Sequence, residues 1–193
     1  VMSVGERLRN ERSENRVPNR TEASDLSDSD SPSRPLGQVT AVWGPAGAPG
    51  RSTVALAAAA HLARQGKATL LIDADCHGAA LAQMLAVLDD VSGLMAACRD
   101  VNLGRDRHVR EHLLRAMPNL DILTGIPRPD LWHHLRPSAV ARIVEQARES
   151  HQHVIIDCSF DLATEEGVAP SAGDVSREMV ALADRTVVVG RPD

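Results

Sequence analysis

The chain has no tyrosine, one phenylalanine and two tryptophans among its 193 residues. With so little aromatic bulk, alanine, valine and leucine must fill the interior, which suits helices packed closely on a parallel sheet. Cysteine is scarce as well. Cys76, Cys98 and Cys158 are odd in number and show no CxxC spacing, which points to reduced thiols in a cytoplasm rather than a disulfide framework. No apolar run approaches the ~20 residues that a bilayer-spanning helix needs. No cationic stretch followed by an apolar core marks a signal peptide. The formal net charge of −5 leaves no global basic field to attract nucleic acid. What is present, 43% hydrophobic residues, is enough to build a packed core.

Residues 1–37 form a different material from the rest. Arg7, Arg9, Glu11, Arg12, Glu14 and Arg16 alternate in charge, and the run Ser24-Asp25-Leu26-Ser27-Asp28-Ser29-Asp30-Ser31 follows. So few apolar residues cannot offset the entropy of ordering, and a disordered segment is expected there. From residue 38 onward the pattern is regular. Strand-like runs fall at Val39–Trp43, Thr69–Ile72, Leu120–Leu123, Val154–Ile156 and Thr186–Val189. Helix-like stretches lie between them: Thr53–Gln65, Ala79–Leu88 with Gly93–Arg99, Arg107–Ala116 and Pro137–Ser150, with Arg177–Ala183 before the last strand. This alternation predicts βαβ units and a parallel sheet covered by helices on both faces. Gly66 is placed to close the first helix, and Pro137 to open the fourth. The polar span from Glu165 to Ser176 is expected to be a surface loop.

Chemistry concentrates at three places. In Trp43-Gly44-Pro45-Ala46-Gly47-Ala48-Pro49-Gly50-Arg51-Ser52-Thr53, a strand stops at a glycine-rich turn that opens directly into a helix. That order cradles phosphate, because backbone N–H groups and the helix dipole both face the anion. The loop departs from Gly-x-x-x-x-Gly-Lys-[Ser/Thr] at two positions: Pro45 stands at the first glycine and Arg51 at the lysine. Gly47 and Gly50 would let the backbone approach the anion. Arg51 would supply the charge as a planar fork, Ser52 the Mg²⁺-binding hydroxyl, and Thr53 a further phosphate contact. Second, Leu70-Leu71-Ile72-Asp73-Ala74-Asp75 carries two carboxylates off the C-terminal end of a buried strand, the edge where ligands bind in open α/β sheets. Third, Val154-Ile155-Ile156-Asp157 has the Walker B form, an apolar strand ending in an acid for Mg²⁺. The His108/His112, His133/His134 and His151/His153 pairs lack the converging ligands of a metal site and are read as surface or half-buried side chains.

Taken in order, the loop, the Asp73-Ala74-Asp75 strand end with His77-Gly78, the segment Asn119–Gly125, Val154–Asp157 and Ala183–Val189 resemble the landmarks of the ParA/MinD superfamily of P-loop ATPases. Within it, the loop is similar to the CpaE/TadZ-type branch, whose members are described as septum-site-determining or pilus-assembly ATPases. The resemblance covers about residues 38–193. It implies a three-layer αβα fold of the SIMIBI type with its five strands ordered 3-2-4-1-5 along the sheet. It also implies ATP and Mg²⁺ as cofactors. Gly47, Gly50, Arg51, Ser52 and Thr53 then match the phosphate loop, and Asp75 the carboxylate that positions the attacking water. Asp73 becomes an outer Mg²⁺ partner and Asp157 the Walker B acid, with Ser52 the direct Mg²⁺ ligand. A homodimer and protein partners of polar, septal or secretion machinery follow, with cytoplasmic location or peripheral attachment to the inner face of the membrane through those partners.

Departures from the family pattern are equally specific. Its signature lysine falls at Ala46, and the Asp-x-Pro-x-Gly after Walker B is replaced by Asp157-Cys158-Ser159-Phe160-Asp161. The later strands, the base-contacting segment and the C-terminal membrane helix have no counterpart, so a domain incomplete at its C-terminus is expected. Two readings stand: an ATP-binding switch with weak or absent hydrolysis, and a non-catalytic scaffold that kept the fold. A small-molecule kinase is a third, with no evident acceptor site or lid.

Overall fold

The computed structural model describes residues 35–87, 91–162 and 170–191. Nearly all of the segment expected to be disordered, and most of the expected polar loop before residue 171, lie outside these residues. In chain order the elements are β1 (Gln38–Trp43), α1 (Arg51–Arg64), β2 (Thr69–Ala74), α2 (Leu81–Met84), α3 (Gly93–Asn102), a 3-10 helix at Asp106–His112, β3 (Leu114–Met117) and β4 (Leu120–Leu123). A second 3-10 helix at Pro129–His134, α4 (Pro137–Ser150), β5 (His153–Cys158), α5 (Gly173–Leu182) and β6 (Arg185–Val188) complete them.

The strands form one sheet in the order β3-β4-β2-β5-β1-β6. All neighbours are parallel except the edge pair β3–β4. The five strands read from the sequence therefore lie in the expected order, 3-2-4-1-5 in their own numbering. β2 is buried at every position, as a strand covered on both faces must be. Period-2 alternation then splits its side chains: Leu70 and Ile72 join Val154 and Ile156 of β5 in one cluster, and Leu71 joins Ile155 in the other. The first cluster is closed by α3, α4 and α5, through Leu94, Ile143 and Met179 among others. The second is closed by α1, whose Ala55, Ala59 and Ala63 form a stripe of small side chains at i, i+4 and i+8. The scarcity of aromatics is met in this way, by helices lying close on the sheet.

Several elements differ from expectation. The helix expected at Arg107–Ala116 is a 3-10 helix followed by β3, which folds back on β4 through Pro118-Asn119. Asn119 takes φ +64°, a left-handed conformation that Asn tolerates. Its carbonyl accepts the Thr69 N–H at 2.8 Å, and its side-chain amide donates to the Ala63 carbonyl at 3.3 Å, which ties the turn to α1 and β2. The helix expected at Ala79–Leu88 is the single turn α2, and α5 begins at Gly173 rather than at Arg177. Both expected helix punctuators hold their places. Gly66 N–H bonds the Ala63 carbonyl and Lys67 N–H the Leu62 carbonyl, the paired bonds of a Schellman ending, and Pro137 sits in the first turn of α4.

All three cysteines are buried and unpaired. Burial pushes the thiols of Cys76 and Cys98 up to about 12, and that of Cys158 up as well. Among the described residues no helix is long and apolar enough to cross a membrane.

Candidate phosphate-loop site

The site lies at the C-terminal ends of β1, β2 and β5, where the chain turns from β1 into α1. Gly47 and Gly50 have φ +77° and +94°, so the loop depends on glycine at two positions where a Cβ would be strained. Gly50 is the N-cap of α1. No side chain caps that helix, and no acidic residue lies in its first turn. The positive end of the helix dipole at Arg51, Ser52 and Thr53 thus receives no anion from the helix's own first turn.

Arg51 does not extend into solvent. Its guanidinium folds back over the loop, with Nη1 donating to the carbonyls of Gly44 at 3.2 Å and Pro45 at 3.4 Å. Nη2 reaches Asp75 Oδ2 at 3.5 Å. The Arg51 Nε is buried with no partner. Asp75 is also fixed from the other side, because its Oδ1 accepts the backbone N–H groups of His77 at 2.8 Å and Gly78 at 3.0 Å. One carboxylate therefore joins the loop's cation to the turn after β2.

Asp73 and Asp157 are register partners on adjacent strands. Alternation along β2 and β5 aims both at the α1 side of the sheet, with Leu71 and Ile155. Asp73 is 1% exposed, and its oxygens accept the N–H of Leu81 at 3.0 Å and of Asp75 at 3.4 Å. Burial, reinforced by the Asp157 charge, lifts its carboxyl to about 7. Burial likewise lifts Asp157 to about 6, against the pull of the nearby Ser52 hydroxyl and Arg51. Yet neither Asp157 oxygen has a partner at hydrogen-bonding geometry, and both are buried. A buried carboxylate beside a serine hydroxyl, with both oxygens unpartnered, has the donor chemistry of a hard cation.

Among the described residues no three His, Cys, Asp or Glu side chains converge into a metal cage. A P-loop Mg²⁺ needs none, since a hydroxyl, waters and phosphate oxygens supply most of its ligands. Ser52 and Asp157 fit that arrangement. Asp73, its oxygens taken up by backbone N–H groups, could stand only at one remove from such a cation.

Gly47, Gly50, Arg51, Ser52 and Thr53 lie on the loop or the first turn of α1, Asp75 meets Arg51, Asp157 lies near Ser52 and Arg51, and Asp73 is the register partner of Asp157 on β2. Those that sequence reasoning missed form the adjoining wall. Trp43 Nε1 donates to the Phe160 carbonyl at 3.1 Å, and the His77 ring lies 4.7 Å from that of Phe160. His77 Nε2 is 4.0 Å from Asp161 Oδ2. Their only sequence signal is position, two residues beyond Asp75 and three or four beyond Asp157. Four cavities of the described residues are not lined by the loop itself; one of them, about 300 Å³, touches Asp73.

No protein-family model matches the chain, and no curated protein matches its sequence. Solved structures match its fold. A ParA family ATPase from Chlorobium tepidum superposes with a TM-score of 0.66 at 14% identity, over 79% of this chain and 60% of that one. The septum site-determining protein MinD from Pyrococcus horikoshii, complexed with Mg-ADP, gives 0.62 at 19% identity, over 82% and 59%. A cobyrinic acid a,c-diamide synthase from Mycobacterium smegmatis, with bound ATP analog and magnesium, gives 0.61 at 23%, over 80% and 60%. The chain spans about three fifths of the length of these proteins. Its fold is the three-layer αβα fold of ParA/MinD-type P-loop ATPases, built on a mostly parallel six-stranded sheet.

Proposed function

We propose that this chain binds ATP with Mg²⁺ at the loop formed by Gly47, Gly50, Arg51, Ser52 and Thr53, and works as a nucleotide-dependent switch with little or no hydrolysis. The observation that carries the reading is the unpartnered, buried Asp157 carboxylate beside Ser52 at an uncapped helix N-terminus. Phosphate would draw Arg51 from Asp75 toward the anion. The protein's own groups then have distinct duties: loop and helix N–H groups hold the phosphates, Ser52 and Asp157 hold the cation, and Asp75 orients water. Bound Mg²⁺ would neutralise phosphate charge. With Ala46 at the position of the family's lysine, no cation from there reaches a partner subunit's nucleotide, and turnover is expected to be slow.

The comparisons support the fold of this class, and the cellular role is our extension of it. The role we favour is spatial organisation (septum placement, chromosome partitioning, or pilus and secretion assembly) of the CpaE/TadZ-type branch. We place the protein in the cytoplasm, as a homodimer engaging protein partners. A nucleotide-free scaffold is a second reading, favoured by one observation: Arg51 already satisfies Gly44, Pro45 and Asp75 across the loop. Titration with ATP in the presence and absence of Mg²⁺, followed by a phosphate-release assay, separates the two. Mg²⁺-dependent binding supports the switch, and no binding at millimolar ATP supports the scaffold.

A further inference from the structure

We infer that the groove between α3 and the 3-10 helix Pro129–His134 docks an acidic amphipathic helix of a partner protein. This goes beyond the nucleotide reading and needs no nucleotide at the loop. The groove is a cavity of about 860 Å³. Val91 and Leu103, at the two ends of α3, are 62% and 56% exposed, unusual for large apolar side chains bracketing a single concavity. Met95 lies between them on the same helix face, and Leu131 lines the opposite wall.

The span from residue 91 to 103 is about 18 Å at 1.5 Å per residue, room for three turns of an occupant helix whose anchors fall at i, i+3 or i+4, and i+7. Charge selects the occupant. Arg99 and Arg136 line the groove, and neither has an acidic partner among the described residues. Among the described residues no carboxylate lines it. Asp100 on the same helix is engaged by His112 at 2.8 Å and Asp130 by Arg128 at 3.2 Å, while Asp89 and Asp90, which precede Val91 in the sequence, lie outside the described residues. A second copy of this chain is disfavoured, because a two-fold contact would set these arginines against their own images. A flat lipid surface does not fill a concavity.

The test sorts a displayed library of helical peptides on the full-length chain without nucleotide. The library holds leucine at i, i+3, i+4 and i+7, with the outward positions randomised. Enrichment of Asp and Glu beside the leucines is expected, with affinity at least tenfold weaker for the double variant Arg99→Glu/Arg136→Glu and falling steeply with salt. Unchanged urea midpoints would establish that the variant is folded. No enrichment, enrichment without acidic bias, or binding indifferent to the double variant overturns the inference. So does a dimer in sedimentation that Leu103→Ser abolishes, or binding of anionic vesicles that the same variant removes.

Discussion

The paired carboxylates at the sheet edge make stability depend on pH in an unusual direction. Asp73 titrates near 3.8 when unfolded and at about 7 in the fold, because burial and the Asp157 charge penalise its ionised form. Between these values the folded chain holds a proton that the unfolded chain has released, so stability falls as pH rises. The gain is complete below about pH 4 and gone above about pH 8. Each pH unit over which only the folded chain keeps the proton costs about 1.36 kcal/mol, so this single group removes roughly 2.5 kcal/mol between about pH 5 and pH 8. At urea slopes of about 1–3 kcal/mol/M, that is a midpoint lower by roughly 1–2 M at pH 8. His153, whose pKa is held down by burial, contributes in the opposite sense. The comparison is therefore made against Asp73→Asn, which keeps an acceptor for the Leu81 N–H and shares every other titrating group. In urea unfolding across pH 5–8, the parent should lose stability relative to the variant as pH rises. Parallel curves would falsify the argument, since Asp73 would then carry the same charge in both states.

Arg51→Ala should weaken ATP binding by roughly 1.5–3 kcal/mol, the worth of a charge-assisted hydrogen bond, as read by calorimetry; equal affinity would leave the loop vestigial. Mg²⁺ with ATP should raise thermal stability more at pH 8 than at pH 5, because Asp157 titrates at about 6 and offers a cation its charged form only above that. Turnover should stay well below the ~1 s⁻¹ of a slow kinase; phosphate release at that rate or faster, abolished by Asp75→Ala, would restore a full catalytic role. Gly125→Ala should destabilise by about 1–3 kcal/mol in chemical denaturation, since its Cβ would fall 2.8 Å from Asp73 Cγ and 3.0 Å from the Asp73 carbonyl oxygen. A neutral result there would mean that the β2 end yields more easily than its burial indicates.

Strands were legible because β2 and β5 carry the apolar runs Leu70–Ile72 and Val154–Ile156 and β1 is apolar from Val39 to Trp43 but for Thr40, while their order came with the family likeness rather than from spacing. β3 was not. Leu114-Arg115-Ala116-Met117 has no β-branched residue, and it becomes a strand only because the turn at Pro118-Asn119 lays it beside β4. The preceding run, with Val109 and Leu113 one turn apart, imitates a helix face. At the site, the sequence located Asp73, Asp75 and Asp157 on strand ends, since a strand's period is fixed. It could not show that Arg51 folds back on Gly44, Pro45 and Asp75, a side-chain choice made across 24 residues. Nor could it show Asp73 engaged by Leu81 N–H, which depends on where the one-turn helix α2 starts.

The three inert thiols give this molecule a built-in set of clocks. Cys158 ends β5 and Cys76 follows the end of β2, both in the cluster on the sheet face opposite α1, and Cys98 lies on the inner face of α3, behind the groove. With 1% exposure or less and their thiols held protonated by burial, they react with an alkylating reagent only when the structure around them opens. Modification rates at the three positions, resolved by mass, therefore time the opening of the sheet edge and of α3 separately. A ligand at the loop should slow the first two clocks, and an occupant of the groove the third, with no foreign label introduced.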